Sequence, residues 1–460
     1  PAVMLAGCSS VSPRQSFGQV QDMVTQKTGH EVRWYQGEEE DVKASRQVQD
    51  MLSDELTVNE AVQVALLNNR HLQALYEELG IAQAELVRAG LLENPVFEGS
   101  MRFDHGVRPA VDAAVMQGFL SALMIPMREK VAKAELEATK LKVTGRVMDL
   151  ARRVAVQFYR HQAARQTLAM RRTVLDSTEA SYEMAKRLHE AGNITDLRLS
   201  QERALRESAR LDLSAAELAV QESRQRLNRL MGLWGEGTDW HVKPNLPEVP
   251  DDRMNLDELQ KRAVSESIDL AMARNHVEAA AKRAGMTNVT SVFPFIEVGA
   301  EGEGESSGEW EVGPALSLPI PLFNQGQPAR TEAAAEVRRC WEEYTATAID
   351  IRSAARAARH RLLITRSRVR HYREVMVPLR QKIMRQTHLR YNAMFEGVFQ
   401  LLRTKEQEIR SRRRYIEELR DYWIARTEME QILNGRLVES SEISISAGGG
   451  GSVGGMAGGH

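Results

Sequence analysis

Apolar residues alternate with polar or small residues in four stretches of the chain. In the clearest stretch the apolar positions are Trp310, Val312, Leu316, Leu318 and Ile320. A period of two is typical of a strand that has one apolar face. The pattern predicts four strands, at about residues 96–104, 111–125, 291–302 and 309–320.

Each pair of predicted strands is followed by a change to helix-forming composition. Pro319 and Pro321 end the last strand, because proline cannot donate to a strand ladder, and the Ala-, Glu- and Arg-rich segment after them favours a helix. The first pair ends in the same way at Ile125-Pro126, which lies 195 residues before Ile320-Pro321 (320 − 125). The chain is therefore predicted to contain two copies of one unit.

The segments after the strands predict very long helices. No proline interrupts residues 127–243, and a helix from Arg128 to Ala191 would have 64 residues (191 − 128 + 1) and a length of ~95 Å. Gly192-Asn193 then marks a turn, and the next helix carries two apolar stripes at steps of seven. Two stripes indicate two neighbouring helices, as in a ring of helices, although heptads alone also fit an ordinary antiparallel coiled coil.

Several motifs give the chain a resemblance to a known family. A strand that ends in Leu-Pro-Ile-Pro-Leu-Phe, at residues 318–323, and opens a long helix resembles the TolC-type outer membrane efflux family. Further stretches that resemble this family are Leu56-Thr57-Val58-Asn59-Glu60-Ala61, Asn68-Asn69-Arg70 and Ala89-Gly90-Leu91-Leu92-Glu93-Asn94-Pro95. Together, in order, the motifs cover about residues 56–435.

The resemblance implies a mixed but mainly α fold with a TolC-like β-barrel. Four strands per chain are too few to close a barrel, so closure needs several chains. The family implies a homotrimer with a twelve-stranded barrel that is continued by a long α-helical barrel. It also implies a passive conduit in the outer membrane of a Gram-negative bacterium. Its expected partners are a periplasmic adaptor (membrane fusion) protein and an inner-membrane pump of the resistance-nodulation-division or a related type.

On this interpretation the chain divides into six segments. Residues 1–7 are the remnant of a lipoprotein signal peptide, and residues 8–55, which are polar and weakly periodic, form an extended lipidated tether. The first repeat covers residues 56–232, a linker covers 233–253, and the second repeat covers 254–437. The Gly-rich residues 438–460 predict a disordered tail.

The two cysteines have different contexts. Leu5-Ala6-Gly7-Cys8 resembles a bacterial lipobox, and the serine after Cys8 resembles an outer-membrane sorting signal. We expect a covalent lipid on Cys8, which would hold the N-terminus to the outer membrane lipid, and no other cofactor. Cys340 lies in a helical segment and is predicted to be a buried or partly buried thiol.

Composition and motifs argue against several other functions. The net charge of −2 gives no support for nucleic-acid binding, and no run of 18 apolar residues predicts a transmembrane helix. His189-Glu190 begins like a zinc-protease motif, but Asn193 stands where the second histidine is required. We therefore expect no catalytic residues, no metal ligands and no enzymatic activity.

The expected function is export of metal ions or small toxic compounds. Tyr391-Asn392-Ala393-Met394 resembles the subgroup of the family that is associated with metal and copper resistance. Gly192 and Gly397 mark the two hairpin tips, where the family meets its adaptor, so the docking candidates are Leu188, Gly192, Ile194, Gly397 and Val398. The alternative is an envelope coiled-coil scaffold lipoprotein without a pore, which explains the heptads but not the four strands.

Alternation also assigns a lumenal face to the predicted barrel. Apolar side chains of a membrane barrel face lipid, and the side chains between them face the lumen. The pore-lining candidates are therefore Glu98, Arg102, Glu297, Glu301 and Glu311, with Arg102 offsetting Glu98, while Glu303 is placed in the solvated turn 303–308. Rings of carboxylates in a pore favour cations.

Overall fold

The computed structural model describes residues 14–37, 39–103, 109–251, 254–304 and 309–438. The helices are α1 (Arg14–Thr28), α2 (Glu39–Ser53), α3 (Val58–Asn68), α4 (Arg70–Gly90), α5 (Phe119–Glu190), α6 (Asp196–Met231), α7 (Leu259–Ser265), α8 (Ile268–Thr290), α9 (Gln327–His371), α10 (Val377–Asn392) and α11 (Val398–Leu433). The strands are β1 (Val96–Arg102), β2 (Ala110–Gly118), β3 (Glu297–Gly304) and β4 (Trp310–Ser317).

One order of elements occurs twice along the chain. Two helices precede a strand pair, and a long helical hairpin follows it, first as α3 to α6 and then as α7 to α11. In the second hairpin the first of the two arms is divided by a π-helical turn at Tyr372–Met376, between α9 and α10. The four strands form one antiparallel sheet in the order β1-β2-β3-β4, so the two units join through β2 and β3. Helix α5 alone has 72 residues, a length of ~108 Å.

The predicted switch from strand to helix at Ile125-Pro126 is wrong. Strand β2 ends at Gly118, and Pro126 lies inside α5. The N–H groups of Phe119 and Leu120 both donate to the carbonyl of Ile296, at 2.8 and 3.3 Å. This contact with the other repeat satisfies the first N–H groups of the helix, and it fixes the start of the helix before the proline.

The other strands are shorter than their predicted ranges. Residues 291–296 lie outside β3, and residues 318–320 lie outside β4. In contrast, β3 continues to Gly304, so that Glu303 lies in the strand and not in the turn. The first two residues of the predicted glycine-rich turn, Glu303 and Gly304, therefore belong to β3.

The prediction of an extended N-terminal tether is wrong for the described residues. Helices α1 and α2 occupy most of this segment, and Val20 and Val24 of α1 are fully buried. The ring of Phe17 lies 5.0 Å from that of Tyr76 and 5.7 Å from that of Trp34. Phe17, Val20 and Val24, at spacings of three and four residues, make one apolar side of the helix, which packs against α4 and α5.

The linker between the repeats is held against the first hairpin by Trp240. Its indole N–H donates to the Asn228 side chain at 2.6 Å, and its ring lies edge-on to His161. Burial, with smaller contributions from Arg165 and Arg224, lowers the pKa of His161 to about 4. The imidazole is therefore neutral at physiological pH, where it hydrogen-bonds the Ser223 hydroxyl at 2.9 Å.

The C-terminal end of the described chain joins both repeats. The Arg436 guanidinium contacts the Asp149 carboxylate of α5 at 2.6 and 3.0 Å and also the Asp269 carboxylate of α8. The Leu437 N–H donates to Asp269 at 2.7 Å. Burial is the main cause that raises the pKa of Asp269. We call Arg436, Asp149 and Asp269 the terminal clasp.

Candidate functional site

The sheet has one charged face. Directly paired residues of neighbouring strands point to the same side, and the register pairs Glu98 with Ala114, Ala114 with Glu301, and Glu301 with Gly313. The same parity places all five residues predicted to line the pore on this side: Glu98, Arg102, Glu297, Glu301 and Glu311. That the face lines a pore stays a prediction.

Arg102, which was expected to offset the charge of Glu98 on this face, contacts two other carboxylates. Its guanidinium contacts Asp112 at 3.0 Å and Glu303 at 2.9 Å, and the Ser100 hydroxyl donates to Asp112 at 2.8 Å. These side chains are solvated, so each ion pair contributes only about 0–1 kcal/mol to stability. Their effect is to hold the charges of three strands in one cluster.

Two charged residues of this face were missing from the predicted set. Asp112 lies between Val111 and Ala113 in β2, so the alternation in the sequence could have assigned it to this face. Glu303 was assigned to the turn because glycine and glutamate dominate the sequence there. With them, the strand residues of the charged face comprise six carboxylates and one guanidinium: Glu98, Asp112, Glu297, Glu301, Glu303, Glu311 and Arg102.

The opposite side of the sheet is apolar and exposed. Phe97 of β1 is 71% exposed and Val312 of β4 is 75% exposed. The other large apolar residues on this side are Met101, Val115, Val298, Trp310 and Leu316, and all are exposed. A group of seven exposed large apolar side chains on one surface is rare on a soluble monomer and marks a protein or membrane contact.

The first hairpin tip is a tight turn between α5 and α6. Gly192 has φ +73°, in the left-handed region that glycine adopts without strain. The N–H of Asn193 donates to the Leu188 carbonyl and that of Gly192 to the His189 carbonyl, both at 2.8 Å, which caps the end of α5 as a Schellman motif. Thr195 then caps α6. Leu188 is partly exposed, and Ile194 is intermediate in exposure.

The second tip has the same turn but a different residue in the left-handed position. That residue is Met394, with φ +62°, and the Phe395 N–H donates to the Arg390 carbonyl at 2.9 Å. Gly397, which we expected to mark the turn, has φ −81° and is the residue before α11. Val398 begins α11, and its side chain lies outside the described part. Met394 and Phe395 are 93% and 78% exposed. They were not among the predicted docking residues, because turn rules look for glycine.

The two tips are neighbours. The Arg198 guanidinium, in the first turn of α6, lies 4.8 Å from the centre of the Tyr391 ring near the end of α10. The candidate docking residues of both hairpins therefore lie at one end of the helical part, and the charged sheet forms the other end.

The structure does not test the predicted lipid attachment. Cys8 and its lipobox lie outside the described residues, as do residues 439–460 of the predicted tail.

Cys340 is buried, as predicted. In the described ranges no three His, Cys, Asp or Glu side chains are grouped in a way that holds a metal ion. None of the helices described combines the length and apolar character that a membrane span requires.

Comparison with known proteins agrees with the geometry. Residues 128–233 match the family model described as outer membrane efflux protein. The chain is 21% identical to the cobalt-zinc-cadmium resistance protein CzcC of Cupriavidus metallidurans, over 82% of this chain and 90% of that protein. It is 28% identical to the probable efflux pump outer membrane protein TtgC of Pseudomonas putida, over 71% of each.

Solved structures share the fold. The outer membrane protein VceC of Vibrio cholerae superimposes with a TM-score of 0.69 at 14% identity, over 83% of this chain and 97% of that one. CusC superimposes with a TM-score of 0.66 at 15% identity, over 82% and 92%. Its duplicated strand pairs, its paired helical hairpins and these matches support a TolC-type outer membrane efflux protein.

Proposed function

We propose that three copies of this chain form a channel through the outer membrane and act as the passive outer conduit of a tripartite efflux system. The observation that carries the proposal is the division of the sheet into a charged and an apolar face. In a closed barrel this division puts the exposed apolar residues in lipid and the seven charged residues in the lumen.

Closure by several copies follows from the open edges of the sheet. In the described chain the outer edges of β1 and β4 have no strand partner. An open, apolar edge in a membrane leaves backbone groups without hydrogen bonds, at a cost of several kcal/mol each. Three chains of four strands give twelve strands, and the closed ring removes every edge.

The two ends of the molecule support the proposed partners. The hairpin tips, with Met394 and Phe395 exposed, would dock a periplasmic adaptor, and through it an inner-membrane pump of the resistance-nodulation-division or a related type supplies the energy. The cargo is a metal ion or a small toxic compound. The name of CzcC refers to metal resistance and that of TtgC to an efflux pump, and both support export as the activity.

A covalent lipid on Cys8 completes the proposal. Two or three acyl chains anchor a protein stably to a membrane. Mass spectrometry of the natively expressed protein should find acylated Cys8 as the N-terminal residue, and Cys8→Ser should abolish acyl labelling. An unmodified Cys8 in the wild-type protein would remove the anchor from the proposal without affecting the channel.

The channel itself is tested in planar bilayers. Detergent-purified trimers should give stepwise conductance, and the protein should aggregate when detergent is removed without added lipid. A protein that stays monodisperse without detergent and gives no conductance would instead be a scaffold of the envelope.

A further inference from the structure

One stretch of α9 carries arginines without any acidic residue. Residues 351–373 contain eight arginines and no Asp or Glu. Elsewhere, arginines on the helix surface have a glutamate one turn away, as Arg226 has Glu222 and Arg412 has Glu408. Like charges at steps of three or four residues destabilise a helix. A stretch of this composition therefore indicates a surface whose charge has a role other than stability.

Seven of the eight arginines lie on two different sides of α9. Arg361 and Arg368 contact the Glu428 and Glu418 carboxylates of α11. The other five recur at steps of four, three, seven and four residues, which places them together on another side of the helix. These five residues, which we call the arginine stripe, are Arg352, Arg356, Arg359, Arg366 and Arg370. The stripe covers 18 residues (370 − 352), a length of ~27 Å.

Three members of the arginine stripe have no counter-charge. Arg352, Arg356 and Arg359 are exposed, and within the described ranges none of them has an ion-pair partner. Arg370 lies 3.8 Å from Glu374, and a long contact between solvated side chains neutralises little charge. The end of the stripe nearer the sheet therefore keeps its full positive charge.

A groove of about 720 Å³ follows the end of the stripe farther from the sheet. It lies between α9 and residues 254–257, the segment that leads to α7. Arg366 donates to the carbonyls of Pro250 and Asp251, both at 3.0 Å, which holds this part of the linker beside α9. Four arginines and one carboxylate, that of Asp257, are among the described lining residues. The groove thus continues the positive surface of the stripe.

The arginine stripe lies on the outer side of the proposed channel. The groove joins the stripe to the segment before α7, and α7 packs against α9. The inner side of a tunnel wall has to stay open for the cargo, so the side that carries the added short helix is the outer one. The stripe is therefore accessible from the aqueous space around the tunnel.

The stripe is also far from the membrane. Arg352 follows the first residue of α9 by 25 residues (352 − 327) and Arg370 by 43 residues (370 − 327), which corresponds to ~38 and ~65 Å along the helix. The sheet at the start of α9 is the membrane part of the proposed channel, and salt screens charges beyond ~8 Å at physiological ionic strength. Lipid headgroups are therefore out of reach, and the stripe fits an anionic partner in the periplasm.

We propose, building on the channel proposed above, that the arginine stripe binds the cell wall through the free carboxylates of its peptides. A tunnel that extends from the outer membrane toward an inner-membrane pump has to cross this polymer. Guanidinium groups bind carboxylates through two parallel hydrogen bonds. Three stripes around one trimer would bind a repetitive polymer at several points, and several weak contacts together give firm attachment.

Co-sedimentation with purified peptidoglycan sacculi tests this contact on detergent-purified trimers of the full chain. The stripe variant combines Arg352→Gln, Arg356→Gln and Arg359→Gln. The control variant removes the same charge from exposed positions of α6 by combining Arg203→Gln, Arg226→Gln and Arg229→Gln. Sacculi whose carboxylates have been converted to amides serve as the control for the polymer.

We expect the bound fraction to fall by about fivefold or more in the stripe variant and by less than about twofold in the control variant. Amidated sacculi should not bind the wild type. Raising the salt from about 0.1 M to about 1 M should release it, because the screening length falls from ~10 to ~3 Å. A wild type that does not bind sacculi, or a stripe variant that binds as well as the wild type, would overturn the proposal.

Two further measurements on the same samples separate the other outcomes. Retention by phosphatidylglycerol vesicles that the stripe variant loses would assign the stripe to lipid, and loss of trimers in that variant would assign it to a contact between subunits. Either result would overturn the contact with the wall. Binding through the stripe without conductance in planar bilayers would overturn the channel and leave the contact, whereas conductance without binding would overturn the contact and leave the channel.

Discussion

Glu303 lies directly opposite Glu311 in the β3–β4 ladder. Like charges opposite each other across two strands destabilise a sheet by roughly 0.2–1 kcal/mol. Arg102 contacts the Glu303 carboxylate, and its side chain is 64% exposed, so the ion pair offsets this cost only in part. A repulsive pair lowers the stability of the sheet. The charge of this face is therefore explained better by the proposed passage of ions than by a role in stability.

The first prediction is cation selectivity. A threefold ring repeats each carboxylate of the charged face three times, and such rings favour cations. Under a salt gradient, Glu297→Gln combined with Glu311→Gln should move the reversal potential of the channel toward zero. Higher ionic strength should weaken the wild-type selectivity, because salt screens the carboxylates. Glu236→Gln, in the exposed 3₁₀-helical turn Gly235–Thr238 after α6, is the matched control and should leave the reversal potential unchanged. An anion-selective wild-type channel would contradict the assignment of this face to the lumen.

The second prediction concerns docking at the tips. Leu188→Trp, Ile194→Trp or Val398→Trp should reduce export by the assembled system while the trimer persists, and Phe395→Ala should do the same by removing an exposed aromatic contact. Glu217→Trp is the control, because Glu217 is exposed but lies about 31 Å along α6 from the tip. Resistance of a complemented strain and trimer recovery would be measured together. Cross-links to the adaptor along the helix sides, with none at the tips, would argue against tip docking.

The third prediction uses one substitution at two glycines. No atom lies within 4 Å of the position of an added Cβ at Gly192 or Gly397, so only the backbone decides the result. Gly192→Thr puts a branched side chain at φ +73° and should destabilise its turn by about 1–2 kcal/mol. Gly397→Thr, at φ −81° before α11, should stabilise its turn by about 0.4–1 kcal/mol, because it removes the conformational freedom of glycine in the unfolded chain. Amide exchange of the tips measures the stability of both turns. A change of the same sign in the two variants would contradict the assigned geometry.

Sequence reasoning succeeded where the physical signal is local. Alternation placed Glu98 and Glu301 on one face, because strand period alone decides the side. It failed where a distant contact decides: the Ile296 carbonyl caps α5 and fixes its start ahead of Pro126, and no local rule contains that contact. Met394 was not predicted as the left-handed residue for another reason. The backbone hydrogen bonds of the turn, such as the Phe395 N–H to the Arg390 carbonyl, hold a non-glycine residue in that region at a cost of roughly 1–2 kcal/mol.

The last prediction concerns the terminal clasp. Arg436→Met keeps most of the side-chain volume but leaves the Asp149 and Asp269 carboxylates, 18% and 10% exposed, without their cation. Removing one partner of a buried ion pair costs about 3–5 kcal/mol, so the unfolding temperature should fall clearly at pH 7.5. Arg412→Met, which breaks only the helix-surface pair with Glu408, is the control and should change stability by less than about 0.5 kcal/mol.

The pH dependence of the Arg436→Met variant separates loss of charge pairing from loss of packing. Burial already raises the pKa of Asp269, and removing the guanidinium should raise it further. A carboxyl whose pKa is higher in the folded than in the unfolded state favours folding at low pH, and that contribution is lost as pH rises through the folded-state pKa. The deficit of Arg436→Met should therefore shrink between pH 7.5 and pH 5, and Asp269→Asn in the same chain should abolish most of this pH dependence. A deficit that is the same at both pH values would show that the clasp acts through packing alone.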